Sequence, residues 1–144
     1  MQWRRGLWTL GLGVCSLGAA GCSGGDDKSK CAEPTIDGSP FSLTGTATVH
    51  GTGTLPAGSP DGYELDLMIG DQDAQYGVLP PNLLDASYVC GQTFGYTIHQ
   101  VPAGTYQLFY ALYANNAMEP SAMGPSTQSF TVADGQDLEF DATF

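Results

Sequence analysis

The sequence predicts an all-β protein: a single antiparallel β-sandwich of about seven strands over residues 36–144, behind an apolar leader and a short polar tether. Three observations predict it. Apolar and polar residues alternate with a period of two along several segments, clusters of Pro, Gly, Asn and Asp separate those segments, and no stretch carries a helical apolar stripe.

In chain order, residues 1–21 stand apart. Arg4 and Arg5 give a positive start, Leu7 to Gly18 is apolar, and Ala19-Ala20-Gly21 are small. That is the order of a secretory signal peptide. The apolar run is too short to span a bilayer, which needs about 20 residues. Gly6, Gly11, Gly13 and Gly18 also make it a poor core helix.

Leu17-Gly18-Ala19-Ala20-Gly21-Cys22 resembles the lipobox of bacterial lipoproteins, small residues before a cysteine that becomes the new N-terminus. Ala19 stands where that family most often has leucine, and Val14 makes Cys15 the poorer match. The resemblance implies diacylglycerol on the Cys22 thiol and a further acyl chain on its amine. Each buried methylene contributes about 0.8 kcal/mol, so several chains anchor durably to a membrane. Ser23, in place of aspartate, implies by that family's sorting rule the outer membrane rather than the inner membrane of a cell envelope. Residues 22–35 then hold the lipidated cysteine and a flexible tether, in which Ser23 to Lys30 reads SGGDDKSK. Eight such residues have an end-to-end distance of about 15 Å, which keeps the domain close to the headgroups.

Within 36–144, Phe41, Leu43, Gly45, Ala47 and Val49 alternate with Ser42, Thr44, Thr46, Thr48 and His50. Tyr63 to Ile69, Phe94 to Ile98 and Leu138 to Phe144 alternate in the same way. Each pattern has the one apolar face that a half-buried antiparallel strand requires. Tyr106 to Tyr113 differs, because Phe109, Ala111 and Tyr113 make its second face apolar too. Two readings remain for Phe109 and Tyr113: the segment Ala114 to Gln128 folds over them, or they form a partner patch.

Charge excludes one class of partner. The formal net charge of −11 becomes −13 once Arg4 and Arg5 leave, and no arginine remains in the mature chain. Nucleic acid is therefore not an expected partner, since Lys and Arg supply most of that affinity. Removal of Cys15 and lipidation of Cys22 leave Cys31 and Cys90, which in an oxidising compartment most simply form one disulfide. Such a bridge would stabilise the domain by roughly 4 kcal/mol in the chain-entropy model.

Tyr96-Thr97-Ile98-His99-Gln100-Val101-Pro102-Ala103-Gly104-Thr105-Tyr106-Gln107-Leu108 resembles a signature of prealbumin-like sandwiches, among them the carboxypeptidase regulatory-like domains and the collagen-adhesin repeats. The shared pattern is strand, Val-Pro-Ala-Gly-Thr-Tyr, strand. Phe130 to Leu138 is similar to the final hairpin of such domains. The resemblance implies the fold and says little of function. The lysine–asparagine crosslink of adhesin repeats is not expected, because both mature lysines lie in the tether. The transthyretin-related hydrolases need arginine beside histidine, which the mature chain lacks.

Chemistry-bearing residues are sparse. His50 and His99 lie on the polar sides of their strands. Cys90, His99 and Met118 invite comparison with a blue-copper site, but the nine-residue step from Cys90 to His99 is too long for its tight loop. Asp71 and Asp73 are candidate Ca²⁺ ligands, with Asp61, Glu64 and Asp85 to assist if loops converge. No nucleophile with its base and no fixed carboxylate pair stands out. The expectation is a lipid-anchored, non-catalytic interaction or accessory module without a cofactor. Its partners would be the membrane, through the anchor, and an envelope protein or polysaccharide. The alternative is a calcium- or carbohydrate-binding module using loops at one end.

Overall fold

Ten short strands form among the described residues, and the alternation of their buried and exposed positions follows the period of two in the sequence. The computed structural model describes residues 34–71, 73–80, 88–114 and 117–144. The leader, residues 22–33 of the tether segment with Cys22 and Cys31, and Asp85 lie outside the described residues, whereas Thr35, read as the end of the tether, already begins β1. The strands are β1 (Thr35–Pro40), β2 (Ala47–Thr54), β3 (Glu64–Gly70), β4 (Gln75–Leu79), β5 (Thr93–Val101), β6 (Gly104–Tyr113), β7 (Ala122–Pro125), β8 (Phe130–Val132), β9 (Asp137–Glu139) and β10 (Ala142–Thr143). The protein is all-β, with no helix among the described residues.

The strand order is β10-β2-β5-β1-β4-β3-β6-β7, with β8 beside β6 and β9 beside β2. This is one mixed sheet curled into a half-barrel, with parallel pairs where the sequence predicts a purely antiparallel arrangement of about seven strands. Two features make the sheet mixed. β1 runs parallel to β5 on one side and antiparallel to β4 on the other, so it joins what would otherwise be two separate halves. The C-terminal segment runs parallel to β2, pairing Thr48 with Asp137 and Gly53 with Ala142 in one unbroken register.

Gly38 sits at the junction made by β1. It pairs with Ile98 of β5, and a Cβ at Gly38 would overlap the backbone carbonyl of Leu79 in β4. Only a residue without a side chain lets β4 cross so closely there.

The apolar faces of the curled sheet meet in one core. Val49, Phe94, Tyr96 and Ile98 come from one half; Leu65, Leu67, Ile69, Leu108, Tyr110 and Leu112 come from the other. Phe144 bridges them, its ring 6.1 Å from that of Phe94 and 5.3 Å from that of Tyr110. The Thr127 N–H donates to the Thr143 carbonyl at 2.7 Å, tying the β7–β8 side of the sheet to its opposite edge.

Several local expectations change. Phe41 to Gly45 is not strand: β1 ends at Pro40, Ser42 adopts a left-handed φ of 63°, and Phe41 is 62% exposed. Phe130 to Leu138 is not a hairpin, because β8 pairs with β6 while β9 pairs with β2, making the turn between them a crossover. The Val101-Pro102-Ala103-Gly104 corner is likewise a crossover, from β5 to β6. Tyr106 closes that corner, its hydroxyl donating to the Pro102 carbonyl at 3.1 Å.

Candidate functional site

The face of β3, β6 and β7 turned away from the core sets apolar and acidic residues side by side. Alternation sends Leu65, Leu67 and Ile69 inward and leaves Glu64, Asp66 and Met68 outward. Register then builds rows across the strands. One row reads Gly77, Met68, Phe109, Pro125; the next reads Asp66, Ala111, Met123; a third pairs Glu64 with Tyr113. The Phe41 N–H donates to the Gly77 carbonyl at 2.7 Å, which extends the β1–β4 register by one residue and puts Phe41 at the end of the first row.

The structure treats the two predicted patch residues differently. Phe109 is only 7% exposed and stands outside the main core cluster. Tyr113 is half-buried. Within the segment Ala114 to Gln128, Ala122–Pro125 forms β7 beside β6 and extends the sheet. The exposed apolar side chains around this face are Phe41, Leu79 and Met123; period-two reasoning places Phe41 on a buried strand face and does not single out the other two. Gly77, between Phe41 and Met68, has open space among the described residues where a side chain would point.

Electrostatics on this face are one-sided. Partial desolvation raises the Asp66 carboxyl above the usual carboxylate range, although the residue as a whole is exposed. The Tyr113 hydroxyl is also raised, by desolvation first and then by the charges of Asp66 and Glu64. No lysine or arginine occurs anywhere after Lys30.

Asp71 and Asp73, the leading calcium candidates, share the β3–β4 turn, but Asp61 and Glu64 do not join them. Asp71 caps the β3–β4 turn, its Oδ1 accepting from the N–H groups of Asp73 (2.9 Å) and Ala74 (2.8 Å). Asp61 accepts from the Gly91 N–H at 2.7 Å, and it lies with Glu64 at the other end of β3, roughly 20 Å away. Among the described residues, no three of His, Cys, Asp and Glu gather as a cation would require. Cys90 is not a free thiol, and Met118 is 97% exposed.

The other half of the sheet presents a polar face. His99 Nε2 lies 2.9 Å from Asp37 Oδ1, and His50 Nε2 lies 3.3 Å from Asp137 Oδ1. Each pair links neighbouring strands, β5 to β1 and β2 to β9, so the histidines are not merely solvated as their positions in sequence suggest. A shallow groove of about 230 Å³ lined by Thr35, Thr52, Thr93, Phe94 and Gly95 opens on this half. A second depression of about 230 Å³ is lined by Asp71, Thr105, Tyr106, Gln107 and Ser129.

No protein-family model matches the chain, and neither a curated protein nor a solved structure matches it.

Proposed function

We propose that this is a lipid-anchored cell-envelope protein acting as a non-catalytic interaction or accessory module, held to the outer membrane through Cys22. The observation that carries this reading is the run Leu17 to Cys22 followed by the tether SGGDDKSK. An acidic domain on a tether of about 15 Å stands off an anionic surface yet stays within reach of neighbouring envelope components. The apolar rows on β3, β6 and β7 favour protein contact over catalysis, because they offer surface without a positioned nucleophile or base.

Two structural details belong to the same proposal. Cys31 bridges Cys90, pinning the start of the domain beside the β5 entrance. The two halves joined by β1 correspond to the layers of a prealbumin-like sandwich, a reading supported by the Val101 to Tyr106 corner and its tyrosine hydrogen bond. Intact-mass spectrometry of the detergent-extracted protein tests the anchor. An acylated Cys22 N-terminus is expected, and an unmodified thiol at that position would overturn the reading.

A further inference from the structure

The four exposed large apolar side chains among the described residues are Phe41, Leu79, Met118 and Met123. Three of them border one sheet face. Phe41 ends the Gly77–Met68–Phe109–Pro125 row, and Met123 ends the Asp66–Ala111 row. Leu79 is two residues along β4 from Gly77, on the same side of that strand. Within this apolar field Gly77 leaves a notch: no atom of the described residues lies within 4 Å of where its Cβ would stand, while Phe41 and Met68 flank it in the register.

Charge selects the occupant. Asp66 and Glu64 share this face, and the chain after Lys30 holds neither lysine nor arginine to balance them. Its two histidines already pair with Asp37 and Asp137 on the other half. A bilayer interior would have to desolvate both carboxylates. A second copy would bring the same negative charge to the contact.

We propose that the outer face of β3, β6 and β7, with the Gly77 notch at its side, docks an extended segment of an envelope protein that seats a large apolar side chain beside a lysine or arginine. The apolar side chain enters the notch between Phe41 and Met68, and the cation reaches Asp66. This deepens the interaction-module reading and rests on it. The chemistry is that of a hot spot, an apolar anchor in a pocket with a charge partner at its edge.

The test uses the full-length protein in detergent and a synthetic peptide of alternating leucine and lysine, titrated calorimetrically. Gly77→Leu fills open space and Asp66→Lys reverses the charge; each is expected to weaken peptide binding about tenfold or more. Asp134→Lys, the same charge change in the β8–β9 turn, is expected to leave binding within about twofold. Equal weakening by the two charge reversals would mean diffuse attraction and overturn the proposal. A photocrosslinking residue in place of Phe41, with phosphatidylcholine vesicles present, identifies the occupant. Crosslinks to the peptide support the proposal; crosslinks to lipid or to a second copy of the chain overturn it. The titration reads the face rather than the anchor, so an unacylated Cys22 would leave its outcome unchanged.

Discussion

Gly53 is the position at which core packing can be probed most sharply. It is buried in β2, pairs directly with Phe94 in β5, and a Cβ there would overlap the Phe94 ring. Phe94 is 1% exposed, and its ring lies 6.3 Å from Tyr96 and 6.1 Å from Phe144, so it has little room to retreat. Gly53→Ala should therefore act as overpacking and cost about 1–3 kcal/mol. The smaller unfolded-state entropy of alanine offsets about 0.4–1 kcal/mol of that. A net loss of about 1–2 kcal/mol is expected, read as a lower urea midpoint with an unchanged m-value. Phe94→Leu alone also destabilises, by removing ring contacts. In the double variant the shorter side chain makes room for the new methyl, so the cost should fall below the sum by about 1 kcal/mol or more. Additivity to within about 0.5 kcal/mol would show that the two residues do not compete for space, and would refute the reasoning.

Four further outcomes are expected. Tyr96→Phe removes the hydroxyl that donates to the Phe140 carbonyl and should cost about 1–2 kcal/mol in chemical denaturation, since it strands a half-buried acceptor. Burial, then the charge of Asp141, raises Tyr96 well above the ordinary tyrosine range; stability from this group is complete below pH about 10 and lost as pH rises beyond it. Ultraviolet titration should accordingly show one tyrosine ionising only as the protein unfolds. Asp66 is raised as well, so its effect favours the folded state below the usual carboxylate range and fades as pH climbs through the folded value; Asp66→Asn should flatten that part of the stability–pH curve. Asp71→Ala should lower the melting temperature through loss of the turn cap, by the same amount with Ca²⁺ or with chelator, and a Ca²⁺-dependent difference would restore Asp71 as a ligand.

The alternation in the sequence identified which side chains face inward in β3, β5 and β6, because a strand's two faces are a local property. Pairing is not local. Nothing in Thr35–Pro40 announces that β1 lies parallel to β5 and joins β4, and its Gly38 and Pro40 read as turn residues. The parallel placement of Asp137–Thr143 beside β2 depends on a crossover after Val132 that the turn residues Asp134 and Gly135 disguise as a hairpin. The doubly apolar stretch of β6 did point to an unusual outer face. Phe41 reads as the start of a strand running to Val49, whereas it lies between β1 and β2, and Met123 was missed because it sits on a short edge strand, where no repeat is long enough to read. Asp61 does not converge with Asp71 for a topological reason: the two flank β3 at opposite ends.

The central claim is an acylated, disulfide-closed module, and the most direct test is the intact mass of protein extracted from envelopes, with and without reductant. The expected species is a chain beginning at Cys22, heavier than its sequence by diacylglycerol and an acyl group, that gains the mass of two hydrogens when the Cys31–Cys90 bridge is reduced. An unacylated chain that retains residues 1–21, or one whose mass does not change on reduction, would contradict it.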